Sequence, residues 1–220
     1  MNLIERRRGM VNTAESLPNY VSDGLVLWLD GILKDNNDTT KWVDLVEGHV
    51  FVPTNENFVY NNDNVELNQG EFTNESFTVP SASNGTIEVV VTTAGTGNSN
   101  TLFAGRFMDN SDRDKLAFGF YYNYIVARTV GGNVMPKYNV LNNNKNGSFS
   151  ITNTNAYQNG NALTTNGGDY WSGTRVANVL AGKTQTKIYC LRNYNKKLTQ
   201  QEVMHNLAID NERFNLGLTL

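Results

Sequence analysis

The 220-residue chain holds one cysteine, Cys190, so no internal disulfide can form. Its two histidines, His49 and His205, lie far apart in sequence, and a Cys/His zinc site would need them to converge with that single thiol. Charge is sparse as well, at 18% of residues against the roughly one quarter of an average protein. The balance is −3, with no broad basic face expected, so neither nucleic acid nor an anionic membrane is an expected partner. The one basic cluster, Arg6-Arg7-Arg8, is short and sits at the extreme N-terminus. No stretch approaches the roughly 20 apolar residues of a transmembrane helix, so membrane insertion is not expected. Residues 1–11 contain charges and no apolar run long enough for a signal peptide, so general secretory export is not expected.

Asn, Thr and Gly fill the space that charged residues leave, and these are turn, loop and strand formers. A chain of this length buries a sizeable core without disulfides or metals. Residues 2–16 read as an amphipathic helix or an arm, with Leu3, Ile4, Met10 and Val11 able to share a face. Pro18 marks a boundary, and the β pattern begins after it. The apolar run Leu25-Val26-Leu27-Trp28-Leu29 suits a strand covered on both faces. Further strands are expected over 42–45, 65–67, 76–79, 86–91, 101–106, 116–128, 148–151 and 187–191, bounded by Asn, Gly or Pro. Read as one strand, 116–128 places Tyr122 and Tyr124 on one face and Tyr121 on the other. Asn159-Gly160 within 156–163 marks a hairpin turn. One helix is expected near the C-terminus. Thr199 and Glu202 form a capping box, Leu198 and Val203 a staple, and Val203, Met204, Leu207 and Ala208 the face laid on the sheet. About ten strands and one helix predict a two-sheet antiparallel jelly-roll sandwich, with an arm over 1–16 and a single domain over 17–220.

Several segments carry a resemblance. Gly24-Leu25-Val26-Leu27-Trp28-Leu29-Asp30-Gly31, followed by Trp42-Val43-Asp44-Leu45, resembles the N-terminal strand region of concanavalin A-like lectin/glucanase domains of the laminin G type. Tyr157-Gln158-Asn159-Gly160 is similar to that family's Y-x-N-G hairpin. The run from Lys187 through Leu198-Thr199-Gln200-Gln201-Glu202-Val203 is similar to its R-I-Y-N-R-x-L-T-x-x-E-I ending. Together these landmarks span 24–216. The opening, the closing Ala208-Ile209-Asp210-Asn211-Glu212-Arg213-Phe214 and the arginine-rich leader also resemble phage and prophage structural proteins. The resemblance thus implies a virion protein assembled in the host cytoplasm. Its partners would be other virion proteins or copies of itself, docked through Leu3, Ile4, Arg6, Arg7 and Arg8.

The resemblance also frames the chemistry. Glucanases of this fold set paired carboxylates along one strand. Here Glu88 stands alone and reads as a solvent-facing strand residue, and Glu66 and Glu71 are separated by a turn. Cys190 sits in a strand with no nearby histidine and reads as buried and inert, and His205 as a packing or surface residue. Hydrolysis is therefore not expected, and no cofactor is required. Many relatives bind calcium at a rim, for which Asp109, Asp112 and Asp114 offer oxygens; their spacing fits a solvated loop better than an EF-hand. Asp30 and Asp44 read as turn and cap residues. The family's usual ligand is a sugar, held by aromatic faces and amides. The candidates are Asp169, Tyr170 and Trp171 in one loop and Tyr122, Asn123 and Tyr124 in another, while Trp28 and Trp42 are read as core. The leading expectation is a non-enzymatic virion component, a fibre, decoration or tail-associated protein, that contacts cell-surface glycans. The alternatives are a stand-alone lectin module and, less favoured, a carbohydrate-active enzyme.

Overall fold

Ile87, Val89 and Val91 alternate with Thr86, Glu88 and Val90, and all six side chains are buried. A strand with no solvent face must lie in the middle of three layers, and that requirement organises the molecule. The computed structural model describes residues 17–74, 77–79, 85–93, 101–105, 117–121, 123–127, 137–152, 155–165, 175–176, 180–182 and 185–220. The leader over 1–16 lies outside them.

Along the first half of the chain run β1 (Leu25–Asp30), β2 (Trp42–Val43), β3 (Val50–Pro53), β4 (Phe58–Tyr60), β5 (Val65–Leu67), β6 (Glu71–Thr73), β7 (Thr78–Val79), β8 (Thr86–Thr93) and β9 (Thr101–Gly105). The second half adds β10 (Ala117–Tyr121), β11 (Tyr124–Ala127), β12 (Lys137–Asn139), β13 (Gly147–Thr152), β14 (Ala156–Gln158), β15 (Asn161–Ala162), β16 (Arg175–Val176), β17 (Leu180–Gly182) and β18 (Thr186–Tyr194). One α-helix, α1 (Gln200–Phe214), follows β18.

The first sheet runs β15-β14-β13-β8-β18-β5-β4, with β1 also paired to β18 beyond the end of β5. The second runs β12-β11-β10-β9-β17-β6-β3-β2, and β16 pairs with β7. All of these pairings are antiparallel. The fold is an all-β, two-sheet antiparallel jelly-roll sandwich with a C-terminal helix.

Between the sheets lie Leu27, Leu29, Val89, Phe149 and Leu191 from the first and Trp42, Phe51, Phe72, Phe118 and Phe120 from the second. Phe120 and Phe149 meet edge to face across the layers, with ring centroids 5.0 Å apart. A second apolar layer, with Trp28, Val90, Cys190 and Tyr194, faces the other way and receives Val203 and Phe214 of α1 together with Tyr20. Trp28 and Trp42 are both core residues, as the apolar runs around them predict. In β18 the register slips between Ile188, opposite Val91, and Cys190, opposite Val90. This bulge lets Ile188 and Leu191 point inward while Cys190 and Arg192 point toward the helix.

Local signals in the sequence match the structure at both ends of β14–α1. Asn159 and Gly160 occupy positive φ (50° and 78°), as a two-residue hairpin turn demands. Thr199 accepts from the backbone of Glu202, whose carboxylate accepts from the backbone of Thr199. Two expectations are corrected. The buried face of α1 is Val203, Asn206, Leu207, Asp210 and Phe214, while Ala208 is exposed and Met204 only half-buried. The helix is thus turned toward a polar seam of the sheet rather than toward an all-apolar one. The segment read as one strand over 116–128 contains a hairpin, β10–β11, in which Tyr121 is the register partner of Tyr124.

Candidate functional site

Two polar clusters stand out, and they differ in what can reach them. The first lies under α1. Arg192 donates from Nε to Glu88 Oε2 (3.0 Å) and from Nη1 and Nη2 to Asp210 Oδ1 and Oδ2 (2.7 and 2.6 Å), a two-pronged pair. The Tyr20 ring covers its guanidinium, with the centroid 4.0 Å from the carbon, and the Tyr20 hydroxyl donates to Asp210 Oδ1 at 2.7 Å. Asn206 Nδ2 donates to Glu88 Oε2 (2.8 Å) and to the Tyr194 hydroxyl (3.0 Å), and Asn206 Oδ1 accepts the backbone N–H of Val21. Beside them Arg213 grips both oxygens of Asp30, which also accepts from Trp28 Nε1 and from the backbone of Ile32 and Leu33.

Alternation explains why the sheet supplies this seam. Glu88 and Arg192 are register partners on β8 and β18 and share the face that α1 covers. Glu88, Arg192 and Asp210 are 2%, 1% and 0% exposed. Burial raises the Glu88 carboxyl above its ordinary range, against the opposing pull of Arg192. Burial alone would lower Arg192, but Asp210 and its other neighbours carry it well above its usual value. Burial, followed by the charge of Asp210, raises the Tyr20 phenol. The expectation of a solvent-facing Glu88 is therefore overturned. This cluster joins residues 20–21, the sheet and α1, and no substrate can enter it. Cys190 is sealed in the same layer, its thiol pushed up by burial. Asp44 has the turn role expected of it, accepting the backbone N–H groups of Trp28, Val46, Glu47 and Gly48.

The second cluster is less deeply buried. It forms where β12, an edge of the second sheet, meets the β14–β15 edge of the first. Tyr124 pairs with Asn139 across β11 and β12, and Ile125 and Tyr138 beside them point into the core. Tyr124 and Asn139 therefore stand on the outer face, and both are half-buried. The backbone N–H of Val140 donates to the carbonyl of Asn123 (3.0 Å). Asn139 donates from its backbone to the Thr164 carbonyl (3.0 Å) and from Nδ2 to Thr164 Oγ1 (3.1 Å). Gln158 spans the corner, accepting from Leu141 N (2.8 Å) and donating to the Asn144 carbonyl (2.6 Å). These bonds fix a rim in which Asn123, Tyr124 and Asn139 are half-buried, Thr164 is exposed and Gln158 is buried.

Of the residues expected to bind a sugar, the structure places Asn123 and Tyr124 in this rim. Tyr122, Asp169, Tyr170 and Trp171 lie outside the described residues, as do the candidate calcium ligands Asp109, Asp112 and Asp114 and Leu3, Ile4, Arg6, Arg7 and Arg8 of the leader. Asn139, Gln158 and Thr164 were not singled out in the sequence. For Asn139 the signal is an Asn-rich stretch, 139–146, in which Val140, Leu141 and Lys145 interrupt five asparagines. Among the described residues, no three His, Cys, Asp or Glu side chains converge as metal ligands, and no helix is long and apolar enough to cross a membrane.

No family model matches the chain, and no curated protein matches it in sequence. Solved structures do resemble it. A mutant of Trypanosoma rangeli sialidase displaying trans-sialidase activity aligns with a TM-score of 0.53 and 12% identity, over 90% of this chain and 34% of that one. The binding domain of botulinum neurotoxin DC, in complex with SialylT, aligns with a TM-score of 0.57 and 11% identity, over 85% and 52%. A mutant of HCR/D aligns at 0.59 and 12%, over 88% and 53%. The chain therefore spans about a third of the sialidase and about half of the other two. At these identities the likeness is one of fold, a two-sheet antiparallel β-sandwich.

Proposed function

We propose that this chain is a non-enzymatic glycan-binding module carried on a virion, in a fibre, decoration or tail-associated protein. The observation that carries the glycan reading is the contrast between the two sheets. The outer face of the first is sealed by α1 and a buried ion network, whereas on the second Tyr124 and Asn139 stand half-buried beside the exposed Asn144 and Thr164. Rings and fixed amides are the groups that recognise sugar faces and hydroxyls. That the botulinum neurotoxin domain of similar fold was solved with SialylT supports the same reading.

A non-enzymatic role is supported by where the carboxylates are engaged. Glu88, Asp210, Asp30 and Asp44 are all buried and spent on guanidinium or backbone N–H groups. A hydrolytic pair needs two carboxyls flanking a substrate-accessible bond. The virion setting rests on the resemblance of the opening, the ending and the leader to phage structural proteins. The leader would dock to other virion proteins or to further copies of the chain.

A glycan array probed with the purified protein tests the binding reading, and mass spectrometry of purified virions from the source tests the setting. Glycan binding by a protein absent from virions would point to a stand-alone lectin. Turnover in a broad polysaccharide screen would overturn the non-enzymatic reading.

A further inference from the structure

We infer that residues 17–21 are a latch: they close over the Arg192 cluster as one unit and lift from α1 while the sandwich stays folded. Leu17 to Val21 run beside the helix outside any strand, and Tyr20 is their one buried member, 5% exposed. Side chains make their ties to the helix. Val21 N donates to Asn206 Oδ1 (2.9 Å), and the Asn19 carbonyl lies 2.8 Å from His205 Nε2. The Tyr20 hydroxyl donates to Asp210 and accepts from Arg213 Nη1 (3.1 Å). No backbone–backbone hydrogen bond joins 17–21 to another described residue, and the first such bond along the chain runs from Leu25 N to the Ser22 carbonyl (3.2 Å). Ser22 and Asp23 are exposed and Gly24 sits at φ 75°, so a short turn, and no ladder, separates the latch from β1.

Lifting the latch strands no charge. Arg192 keeps both prongs on Asp210 and its bond to Glu88, all of them made among β8, β18 and α1. Asp30 keeps Arg213. What leaves is the Tyr20 ring, which meets Trp28 edge to face with centroids 5.3 Å apart and covers the Arg192 guanidinium. A buried ion pair is costly to split, whereas one that stays paired and gains water is not. Segments with few buried contacts and no ladder are the ones that open locally, at less cost than global unfolding. Under the ring lies Arg192, and against it the single cysteine of the chain, whose Sγ is 3.2 Å from Arg192 Nη1. Cys190 therefore reports on the latch. When open, the latch joins residues 17–21 to the leader as one arm, hinged at 22–24.

The test follows modification of Cys190 by a thiol reagent in the full chain, in native buffer and at urea concentrations below the unfolding transition. The unsubstituted chain, with the latch shut, should stay unlabelled. Tyr20→Ala removes the covering ring, and Val21→Pro keeps the ring but removes the N–H given to Asn206. Ile151→Val, in the core between the sheets, is the control that lowers stability without touching the latch. Both latch variants should label in native buffer about tenfold faster than this control or more. Their rates should change less than about twofold with urea below the transition, because local opening exposes little surface. Labelling that rises in step with global unfolding in every variant would overturn the inference. So would fast labelling of Tyr20→Ala beside a Val21→Pro protein no faster than the control, since the hole left by the ring would then be the cause. If Tyr20→Ala does not fold, Val21→Pro against the control decides between the same results.

Discussion

Removing the Asp210 carboxylate is the sharpest probe of how the helix is held. Asp210→Ala takes away both acceptors of the Arg192 fork at 2.7 and 2.6 Å and the acceptor of the Tyr20 hydroxyl at 2.7 Å. Arg192 would then sit 1% exposed with Glu88 as its remaining carboxylate. Breaking one side of such a buried pair costs about 3–5 kcal/mol, because the partner's charge stays behind without water. For a domain of this size each kcal/mol shifts the melting temperature by roughly 2–4 °C, so a fall of about 6–20 °C is expected. Calorimetry and urea unfolding, with the urea slope unchanged, measure it. The companion variant replaces the whole cluster by apolar residues of similar size, as Glu88→Leu, Arg192→Met and Asp210→Leu together. It should be less destabilised than Asp210→Ala, since no buried charge is left unpaired. A loss below about 1 kcal/mol in Asp210→Ala would refute the argument that burial makes this pair costly to break. So would a triple variant as unstable as the single one.

Glu88→Gln probes the same cluster through pH. Because burial raises the folded-state pKa of Glu88, the unfolded chain ionises first, and this group's contribution to stability falls as pH rises from the ordinary glutamate value toward the folded one. Replacing it should flatten the stability–pH profile over that window, measured by urea unfolding at a series of pH values; parallel profiles for the two proteins would count against the raised pKa. Thr199→Ala removes the side-chain acceptor from the capping box and should cost about 0.5–2 kcal/mol, read from the denaturation midpoint. Cys190, 1% exposed and with its thiol pushed up by burial, should react with a thiol reagent only after denaturant is added. Prompt labelling of the native protein would show that the layer under α1 opens.

The elements that could be read from the sequence are those with strictly local causes. The run through Trp28, the alternation over 86–91, the Asn159-Gly160 turn and the Thr199–Glu202 box each need only neighbours a few residues away. β3, β4, β6, β12 and β17 escaped notice because strands of three or four residues carry too few alternations to stand out from loops. The same weakness hid the hairpin reversal between Tyr121 and Tyr124. The rim around Tyr124 and Asn139 was legible only in part. Asn123 and Tyr124 were expected there, whereas Asn139, Gln158 and Thr164 come from segments that meet only when the two sheet edges close.

Composition and local pattern alone determined the class of the molecule: a β-rich chain with a single cysteine and a capped helix over 200–214. Tertiary structure decided what Glu88 is for. A lone acid on a strand has the same sequence signature whether it faces water or a guanidinium. Which of these holds depends on the bulge in β18, the partner at position 192 and a helix that arrives more than a hundred residues later. Electrostatics acts through space, and space is what the linear order of residues leaves unspecified.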